Sequence, residues 1–504
     1  MLKKYVEKIR NAQVYDVAIK TPLDNMPRLS KRLNNAIWLK REDLQPVFSF
    51  KLRGAYNRMS YLSDEERKHG VVTASAGNHA QGVALSASKM GVSALIVMPK
   101  TTPSIKVDSV RDLGAEIALH GNSYDEACRY ALDIAKQQGR TFIHPYDDED
   151  VIAGQGTVAM EILQQHQGQL DAVFIPVGGG GLIAGMAAYI KALRPEIKVI
   201  GVEPDDAASL KAALEAGERV ELEQVGLFAD GTAVRQVGEE PFKIARETVD
   251  DVITVSSDEI CAAIMDIFDD TRSIAEPSGA LAVAGVKKYI ADCGVNEQQL
   301  VVIDSGANIN FDRLRHVAER AELGEQREVL FAATIAETPG SFQQFCQLLA
   351  EYGITEFNYR YSDSNDAHVF VGLQLNDGEN ARQALFDSLT AAGYSWVNFS
   401  DNEMAKLHVR HMVGGHAPQV DNECVYRFEF PERPGALLRF LTRMGQRWNI
   451  SLFHYRNHGA AYGRVLVGVQ VPKEEKDEFQ GFLKALGYVY WNETDNLAYR
   501  LFLQ

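Results

Sequence analysis

Short, continuous apolar runs alternate with helix-like segments over residues 70 to 310, and this pattern limits the fold more than any other feature. A strand that is covered on both faces reads as a continuous apolar run, without alternating polar residues. The pattern therefore predicts parallel, doubly wound α/β sheets, with functional groups at the carboxyl ends of the strands. The runs are VVTA (71–74), ALIVMP (94–99), EIALH (116–120), DAVFIPV (171–177), KVIGVEP (198–204) and VVIDSG (301–306).

The last third of the chain contains an internal repeat. ETPGSFQQFCQLLAEYGITEFNYR (337–360) is similar to ERPGALLRFLTRMGQRWNISLFHYR (432–456), and a strand-like run follows each copy. Each copy is predicted to form a βαββαβ unit whose sheet can pair with the other. A charged, helix-prone connector over 312–330 precedes the repeats. We therefore predict three domains, at 1–320, 321–400 and 401–504.

Composition excludes several classes of protein. The 504 residues carry a formal net charge of −16, which argues against binding to a nucleic-acid backbone. Five widely separated cysteines fit a reducing cytoplasm, and the N-terminus lacks the apolar core of a secretory signal. No apolar run is long enough to span a membrane. Three histidines near residue 410 lack strong ligand spacing, so no metal site is predicted.

Lys51 lies in an apolar stretch, FSFKLRGAYN (48–57), between Phe50 and Leu52. An ammonium group is strongly hydrated, so burial favours its neutral, nucleophilic form. Lys51 is therefore a candidate to form a Schiff base with a carbonyl compound. The structural alternative is a lysine at a helix start whose amine reaches solvent.

Two loops at predicted helix starts are candidate anion sites. SAGNHAQG (75–82) offers free backbone N–H groups to a carboxylate, although a capped turn would read the same way. VGGGGLIAG (177–185) has four successive glycines, whose bare backbone can surround a phosphate. It lacks the Lys-Ser/Thr of a Walker P-loop but fits the dinucleotide pattern G-x-G-x-x-A, with Glu203 ending the next strand.

These features together favour pyridoxal phosphate over a dinucleotide. A dehydrogenase would need neither Lys51 nor the asparagine loop. The ring nitrogen of the cofactor needs a partner, and VVIDSGAN (301–308) offers Asp304 and Ser305. The two alternate along a strand, so only one can face the ring. A serine would leave the nitrogen largely unprotonated, and this weaker electron sink suits β-elimination.

The motifs around Lys51, Asn78, the glycine turn and Ser305 occur together and in order. In combination they resemble the threonine dehydratase branch of the tryptophan-synthase-β-like, fold-type-II pyridoxal-phosphate enzymes. The doubled tail resembles the paired ACT-like regulatory domain of the biosynthetic branch. The resemblance covers essentially the whole chain. It implies a catalytic domain of two doubly wound lobes and an α+β regulatory domain of two ACT-like repeats.

The resemblance also implies site residues. Lys51 would bind the cofactor covalently and act as general base, Asn78 would bind its phenolic oxygen, and Ser305 would face the ring nitrogen. The phosphate would be held by Gly178, Gly179, Gly180, Gly181 and Leu182. The substrate carboxylate would be held by Ser75, Ala76, Gly77, Asn78 and His79. No catalytic role is carried onto Glu276 or Gly231, and AEPSGA (275–280) reads equally well as a helix start.

The reaction implied is conversion of L-threonine to 2-oxobutanoate and ammonia, and of L-serine to pyruvate, in a cytoplasmic homotetramer. The tail would sense isoleucine, with valine opposing it. The effector region nominated from the repeats comprises Gly340, Tyr359, Arg360, Gly435, Tyr455 and Arg456. The two Tyr-Arg pairs, one in each repeat, also fit a purely structural role. The rivals are a catabolic threonine/serine dehydratase, a serine racemase, an NAD-dependent oxidoreductase and a non-catalytic amino-acid sensor.

Overall fold

The computed structural model describes residues 1–338, 340–360, 366–376, 378–412, 414–417, 420–431, 436–444, 447–456 and 462–503. The chain divides into two compact units, Met1–Ala321 and Glu322–Gln504. Within the described part of the chain, no helix is both long enough and apolar enough to cross a membrane.

The first unit alternates strands and helices, as the sequence predicts. Its strands are β1 (Leu23–Asn25), β2 (Ala36–Arg41), β3 (Val71–Ala74), β4 (Ala94–Met98), β5 (Glu116–Leu119), β6 (Thr141–Phe142), β7 (Ala172–Pro176), β8 (Lys198–Pro204), β9 (Asp251–Val255) and β10 (Gln299–Asp304). Its helices are α1 (Leu2–Arg10), α2 (Pro27–Leu33), α3 (Lys51–Ser60), α4 (Asp64–His69), α5 (Asn78–Met90), α6 (Ser104–Arg111), α7 (Tyr124–Gln138), α8 (Glu149–Gln165), α9 (Gly181–Leu193), α10 (Ser209–Ala216), α11 (Glu239–Thr248), α12 (Ser257–Thr271), α13 (Pro277–Cys293) and α14 (Arg313–Gly324).

Two sheets divide this unit into two lobes. The smaller lobe has the order β5-β4-β3-β6, and the larger has the order β1-β2-β10-β7-β8-β9. All pairs are parallel except the edge pair β1 and β2. The prediction of doubly wound parallel sheets is confirmed. β2 lies before residue 70, outside the alternating region that the sequence marks, and was not predicted.

The central strand β7 shows why the predicted strands read as continuous apolar runs. Val173 and Ile175 pack into the core formed with α1, α8 and α9 on one face of the larger sheet. Ala172 and Phe174 pack into a second core, formed with α12 and α13 on the other face. Both faces exclude water, so both sets of alternating side chains must be apolar.

The second unit is one antiparallel sheet built from two βαββαβ repeats, as predicted. The first repeat contains β11 (Glu328–Ala336), α15 (Ser341–Leu348), β12 (Gly353–Arg360), β13 (Asp366–Gln374), α16 (Gly378–Ala391) and β14 (Ser395–Asn398), followed by α17 (Glu403–Leu407). The second contains β15 (Glu423–Pro431), α18 (Ala436–Met444), β16 (Asn449–Arg456), β17 (Tyr462–Gln470), α19 (Lys476–Leu486) and β18 (Val489–Asn492), followed by α20 (Leu497–Phe502).

The eight strands follow the order β14-β11-β13-β12-β16-β17-β15-β18, which places equivalent strands symmetrically about the centre. The repeats join through β12 and β16, which pair from Glu356 opposite Arg456 to Arg360 opposite Leu452. Core side chains of both repeats belong to one hydrophobic cluster, in which Phe357 packs against Phe453. The two sheets therefore form a single continuous sheet.

Candidate active site

A cavity of about 430 Å³, counting the part open to solvent, lies at the carboxyl ends of β7 and β10. This is the edge at which parallel sheets place functional groups. The structure brings together here all of the residues that the sequence assigns to the cofactor, namely Lys51, Asn78, Gly178, Gly179, Gly180, Gly181, Leu182 and Ser305.

Lys51 is the first residue of α3, and its amine lies at this cavity. The Nζ atom donates to the carbonyl oxygen of Pro145 at 3.2 Å and lies 5.3 Å from the centre of the Phe50 ring. Desolvation lowers the pKa of Lys51 to about 8, although the negative charge of Glu276 opposes the shift. The neutral fraction of the amine near physiological pH is therefore larger than for an ordinary lysine, which favours a role as nucleophile or general base.

A buried ion network fixes the helix that carries Lys51. Arg53, one residue beyond Leu52, donates to Glu42 at 2.8 Å and to Glu161 of α8 at 2.7 Å. All three side chains are fully buried, and Lys40 of β2 also pairs with Glu161, at 2.6 Å. Buried charges of this kind persist only when they are fully paired. The network therefore holds the start of α3 against β2 and α8.

The glycine turn joins β7 to α9, with Gly180 as the N-cap of the helix at a φ of 90°. A Cβ atom on Gly179 would lie 2.2 Å from the Tyr146 ring, and one on Gly178 would lie 2.9 Å from Thr232 Cα. Side chains are therefore excluded along the turn. The first N–H groups of a helix have no intrahelical partner, so this cavity wall suits a phosphate group.

The dinucleotide alternative fails at Glu203. Both carboxylate oxygens of Glu203 accept backbone N–H groups at the start of α10, from Leu210 at 2.8 Å and Lys211 at 2.9 Å. The side chain is fully buried. Burial raises the pKa of Glu203 to about 7, although these backbone hydrogen bonds oppose the shift. Because Glu203 caps α10, it is not available to bind a ribose.

Of Asp304, the last residue of β10, and Ser305, which follows it, only Ser305 lines the cavity. Its hydroxyl donates to the carbonyl oxygen of Ser278 at 3.2 Å. Asp304 is fully buried, and its Oδ1 accepts the N–H of Gly306 at 3.3 Å. Burial and the charge of Asp43 raise the pKa of Asp304 well above its ordinary range. The alternation along the strand thus presents a neutral hydroxyl, and no carboxylate, at this position.

Glu276 is a cavity residue to which the sequence analysis gave no role. Its Oε1 accepts Asn78 Nδ2 at 2.6 Å, while Asn78 Oδ1 accepts Asn308 Nδ2 at 2.8 Å. Burial, reinforced by the charge of Asp230, raises the pKa of Glu276 to about 7. The expected helix start is present, since α13 begins at Pro277 with Glu276 as its N-cap. Glutamate is not among the favoured N-cap residues, and that mismatch was the available signal.

The predicted carboxylate loop lies at the start of α5. Ser75 Oγ accepts the N–H groups of Gly77 and Ala80, both at 3.3 Å, and a Cβ on Gly77 would meet no atom within 4 Å. Ser75, Ala76 and Asn78 are half-buried, and of the loop only Asn78 lines the cavity.

His79 is buried with Nε2 3.0 Å from Ile143 O, and desolvation lowers its pKa to about 3. These contacts indicate that His79 is neutral and has a structural role.

The predicted effector region is only partly described. Gly340 is the N-cap of α15 at a φ of 91°, and Tyr359 donates to Glu337, next to that turn, at 2.7 Å. Arg360 donates to Glu423 of the second repeat at 2.6 Å. Tyr455 is buried in the shared core. Gly435 and the side chain of Arg456 lie outside the described residues.

Comparison with known proteins gives consistent matches along the chain. Residues 14–306 match the family model for pyridoxal-phosphate-dependent enzymes. Residues 319–409 and 414–503 each match the model for the C-terminal regulatory domain of threonine dehydratase.

Individual relatives agree with these family models. The biosynthetic L-threonine dehydratase of Burkholderia multivorans is 56% identical over 503 residues, covering 99% of both chains. That of Escherichia coli is 56% identical over 500 residues, covering 99% of this chain and 97% of its own. The solved structure of processed threonine deaminase isoform 2 from Solanum lycopersicum is 50% identical with a TM-score of 0.63, covering 64% of this chain and 88% of its own.

Proposed function

Because the chain belongs, over its full length, to the biosynthetic threonine dehydratases, a family of pyridoxal-phosphate-dependent lyases, we propose that the cavity at Lys51 is its active site. The enzyme is a threonine ammonia-lyase that converts L-threonine to 2-oxobutanoate and ammonia. The observation that carries the assignment is the meeting of Lys51, the glycine turn and Ser305 in one cavity.

The cavity residues fit the cofactor. Lys51 would hold its aldehyde carbon, the turn Gly178–Leu182 its phosphate and Ser305 its ring nitrogen. The turn fits because it excludes side chains at a helix start, and Ser305 fits because it carries no charge. When bound, pyridoxal phosphate supplies the electron sink for the bond that breaks at Cα of the amino acid.

Once the substrate's amine has replaced it on the cofactor, Lys51 Nζ would be free to act as the general base for the Cα proton, and its lowered pKa of about 8 favours the neutral amine that this role requires. Asn78, held between Glu276 and Asn308, presents a fixed amide at the cofactor's phenolic oxygen. The loop from Ser75 to His79 binds the substrate carboxylate at the start of α5. The ring of Phe50 lies 5.3 Å from the amine and adds to its apolar surroundings.

The proposal extends to a second substrate, to amino-acid effectors and to the rival enzyme classes. L-Serine also reacts, giving pyruvate, since one methyl group in a pocket changes the activation free energy by only about 1–3 kcal/mol. The second unit binds amino-acid effectors, with isoleucine as inhibitor and valine as its opponent. Tyr359 beside the turn at Gly340 supports an effector site there. The tail weighs against a catabolic dehydratase or a serine racemase.

We also propose that the catalytic domain ends near residue 320, that the two repeats divide near residue 400 and that the enzyme is a homotetramer. A cytoplasmic location is proposed because the five cysteines are odd in number and widely separated along the sequence, which fits a reducing compartment.

Replacing Lys51 tests the assignment. Lys51→Ala removes both the covalent attachment and the base, so turnover should fall by at least about 10²- to 10⁴-fold. The visible absorption band of the lysine-bound cofactor should also disappear. Lys68→Ala, at an exposed lysine of α4, is the matched control and should leave both unchanged. Normal formation of 2-oxobutanoate by Lys51→Ala would refute the assignment.

A further inference from the structure

Asp230 connects three segments of the first unit through its carboxylate. Lys106 Nζ, on α6 of the smaller lobe, donates to Asp230 Oδ2 at 2.7 Å. Arg313 Nη1, at the start of α14, donates to Asp230 Oδ1 at 3.4 Å and to the carbonyl oxygen of Phe228 at 3.0 Å. The third segment is the loop 228–232 that carries Asp230 itself.

This loop forms one wall of the active site. Gly231 and Thr232 line the cavity directly after Asp230. A Cβ atom on Gly231 would lie 2.9 Å from Ser278 Oγ, and one on Gly178 would lie 2.9 Å from Thr232 Cα. The loop therefore packs against the glycine turn and the start of α13 with no room to spare, so any displacement of the loop changes the cavity.

α14 holds this loop and continues into the second unit. Besides Arg313, its first turns carry His316, whose ring lies 5.2 Å from that of Phe228. Val317 packs in a core of the first unit, whereas Leu323, at the other end of the helix, packs in a core of the second. α14 is therefore one continuous helix between the loop at Phe228 and the segment that begins the second unit.

We propose that Asp230 is a positioning residue that couples α14 to the wall of the active site, so that effector binding in the second unit changes the cofactor site. The inference rests on the proposed function, because it requires the second unit to bind an amino-acid effector. Asp230, Lys106 and Arg313 are each up to about a third exposed, so each ion pair changes an equilibrium by only roughly 1.4- to 5-fold. Allosteric coupling is typically about 5- to 150-fold, so Asp230 carries a part of it.

A double-mutant cycle on the full-length enzyme tests the coupling without any effector. Arg313→Met, which removes one ion pair of Asp230, should raise the dissociation constant for pyridoxal phosphate by roughly 1.4- to 5-fold, and Asp230→Asn, which removes two, by roughly 2- to 25-fold. The double variant should bind the cofactor less weakly than the product of the two single effects, because both substitutions remove the same Asp230–Arg313 pair. Asp108→Asn, which removes an exposed ion pair of α6, should match the wild type. Independent, multiplicative effects of the two substitutions would overturn the proposal.

Inhibition of the holoenzyme by L-isoleucine provides the regulatory readout. In Asp230→Asn and Arg313→Met, the isoleucine concentration for half-inhibition should rise by roughly 1.4- to 5-fold for each ion pair removed, while calorimetry still detects isoleucine binding. Inhibition like that of the wild type would overturn the proposed coupling. If isoleucine does not inhibit the wild type, the proposed regulation fails, and the double-mutant cycle alone decides whether Asp230 links α14 to the cofactor site.

Discussion

Glu276 contributes to the site but lowers the stability of the folded protein near neutral pH. It is 4% exposed, and its hydrogen bond to Asn78 fixes an amide at the cavity. Its pKa is raised from 4.5 to about 7, chiefly by burial. The unfolded chain therefore loses the proton at a lower pH than the folded protein. The contribution of Glu276 to stability is largest below about pH 4.5 and declines as the pH approaches 7.

Glu276→Gln should remove this pH dependence while keeping an acceptor for Asn78. As the pH is raised from about 5 to about 8, the free energy of unfolding of the variant apoenzyme should increase relative to that of the wild type by on the order of 3 kcal/mol. Thermal unfolding midpoints of the two proteins at both pH values measure the difference. Glu65→Gln, at an exposed position on α4, is the control. The same pH profile for Glu276→Gln and the wild type would exclude a raised pKa.

At the scale of elements, the site depends on how closely the β7–α9 turn packs against its neighbours. The turn must be bare backbone because Tyr146 and Thr232 occupy the space that side chains would need. α3 is positioned differently, by the buried pairs of Arg53 with Glu42 and Glu161. Two elements that meet at one cavity are thus fixed by steric exclusion in one case and by charge pairing in the other.

Gly179→Ala should weaken cofactor binding, because its Cβ would overlap the Tyr146 ring at 2.2 Å. Overpacking of this kind typically costs about 1–3 kcal/mol, or roughly a 5- to 150-fold rise in the dissociation constant for pyridoxal phosphate. Titration of the apoenzyme with the cofactor measures it. Gly481→Ala on α19, where a Cβ would meet no atom within 4 Å, should bind the cofactor as the wild type does. Undiminished cofactor binding by Gly179→Ala would show that the phosphate does not bind at this turn.

On the scale of the whole molecule, the two units have separate cores. The clusters around the larger and smaller sheets contain residues of the first unit only, and the largest cluster contains residues of the second unit only. The first unit can therefore bury its own apolar surface without the tail. This separation allows catalysis and regulation to be tested apart.

Truncation after Gly324, the last residue of α14, should leave a folded enzyme that still consumes threonine. Isoleucine should no longer inhibit it, because both repeats are removed. Circular dichroism and 2-oxobutanoate formation, with and without isoleucine, measure the outcome. Persistent inhibition of the folded remnant would show that the tail is not the sensor.

Much of the fold was predictable because it depends on local sequence. Strands such as β7 and β8 are recognisable since both of their faces are buried, and the repeats are recognisable since the same pattern occurs twice. β2 was missed: its LKR ending reads as polar, and Lys40 is buried only because Glu161, on α8, neutralises it. The strand therefore depends on a partner that its own sequence does not reveal.

The sequence by itself determined the parallel sheets, the doubled tail, and the lysine, glycine turn and helix starts of the site. Each of these follows from the order of residues within a short segment. Only the tertiary structure decided that Ser305 rather than Asp304 lines the cavity, that Glu203 caps a helix, and that Glu276 meets Asn78. The physical reason is that each of these outcomes depends on packing between elements, and in the case of Asn78 and Glu276 on a contact across 198 positions of the chain.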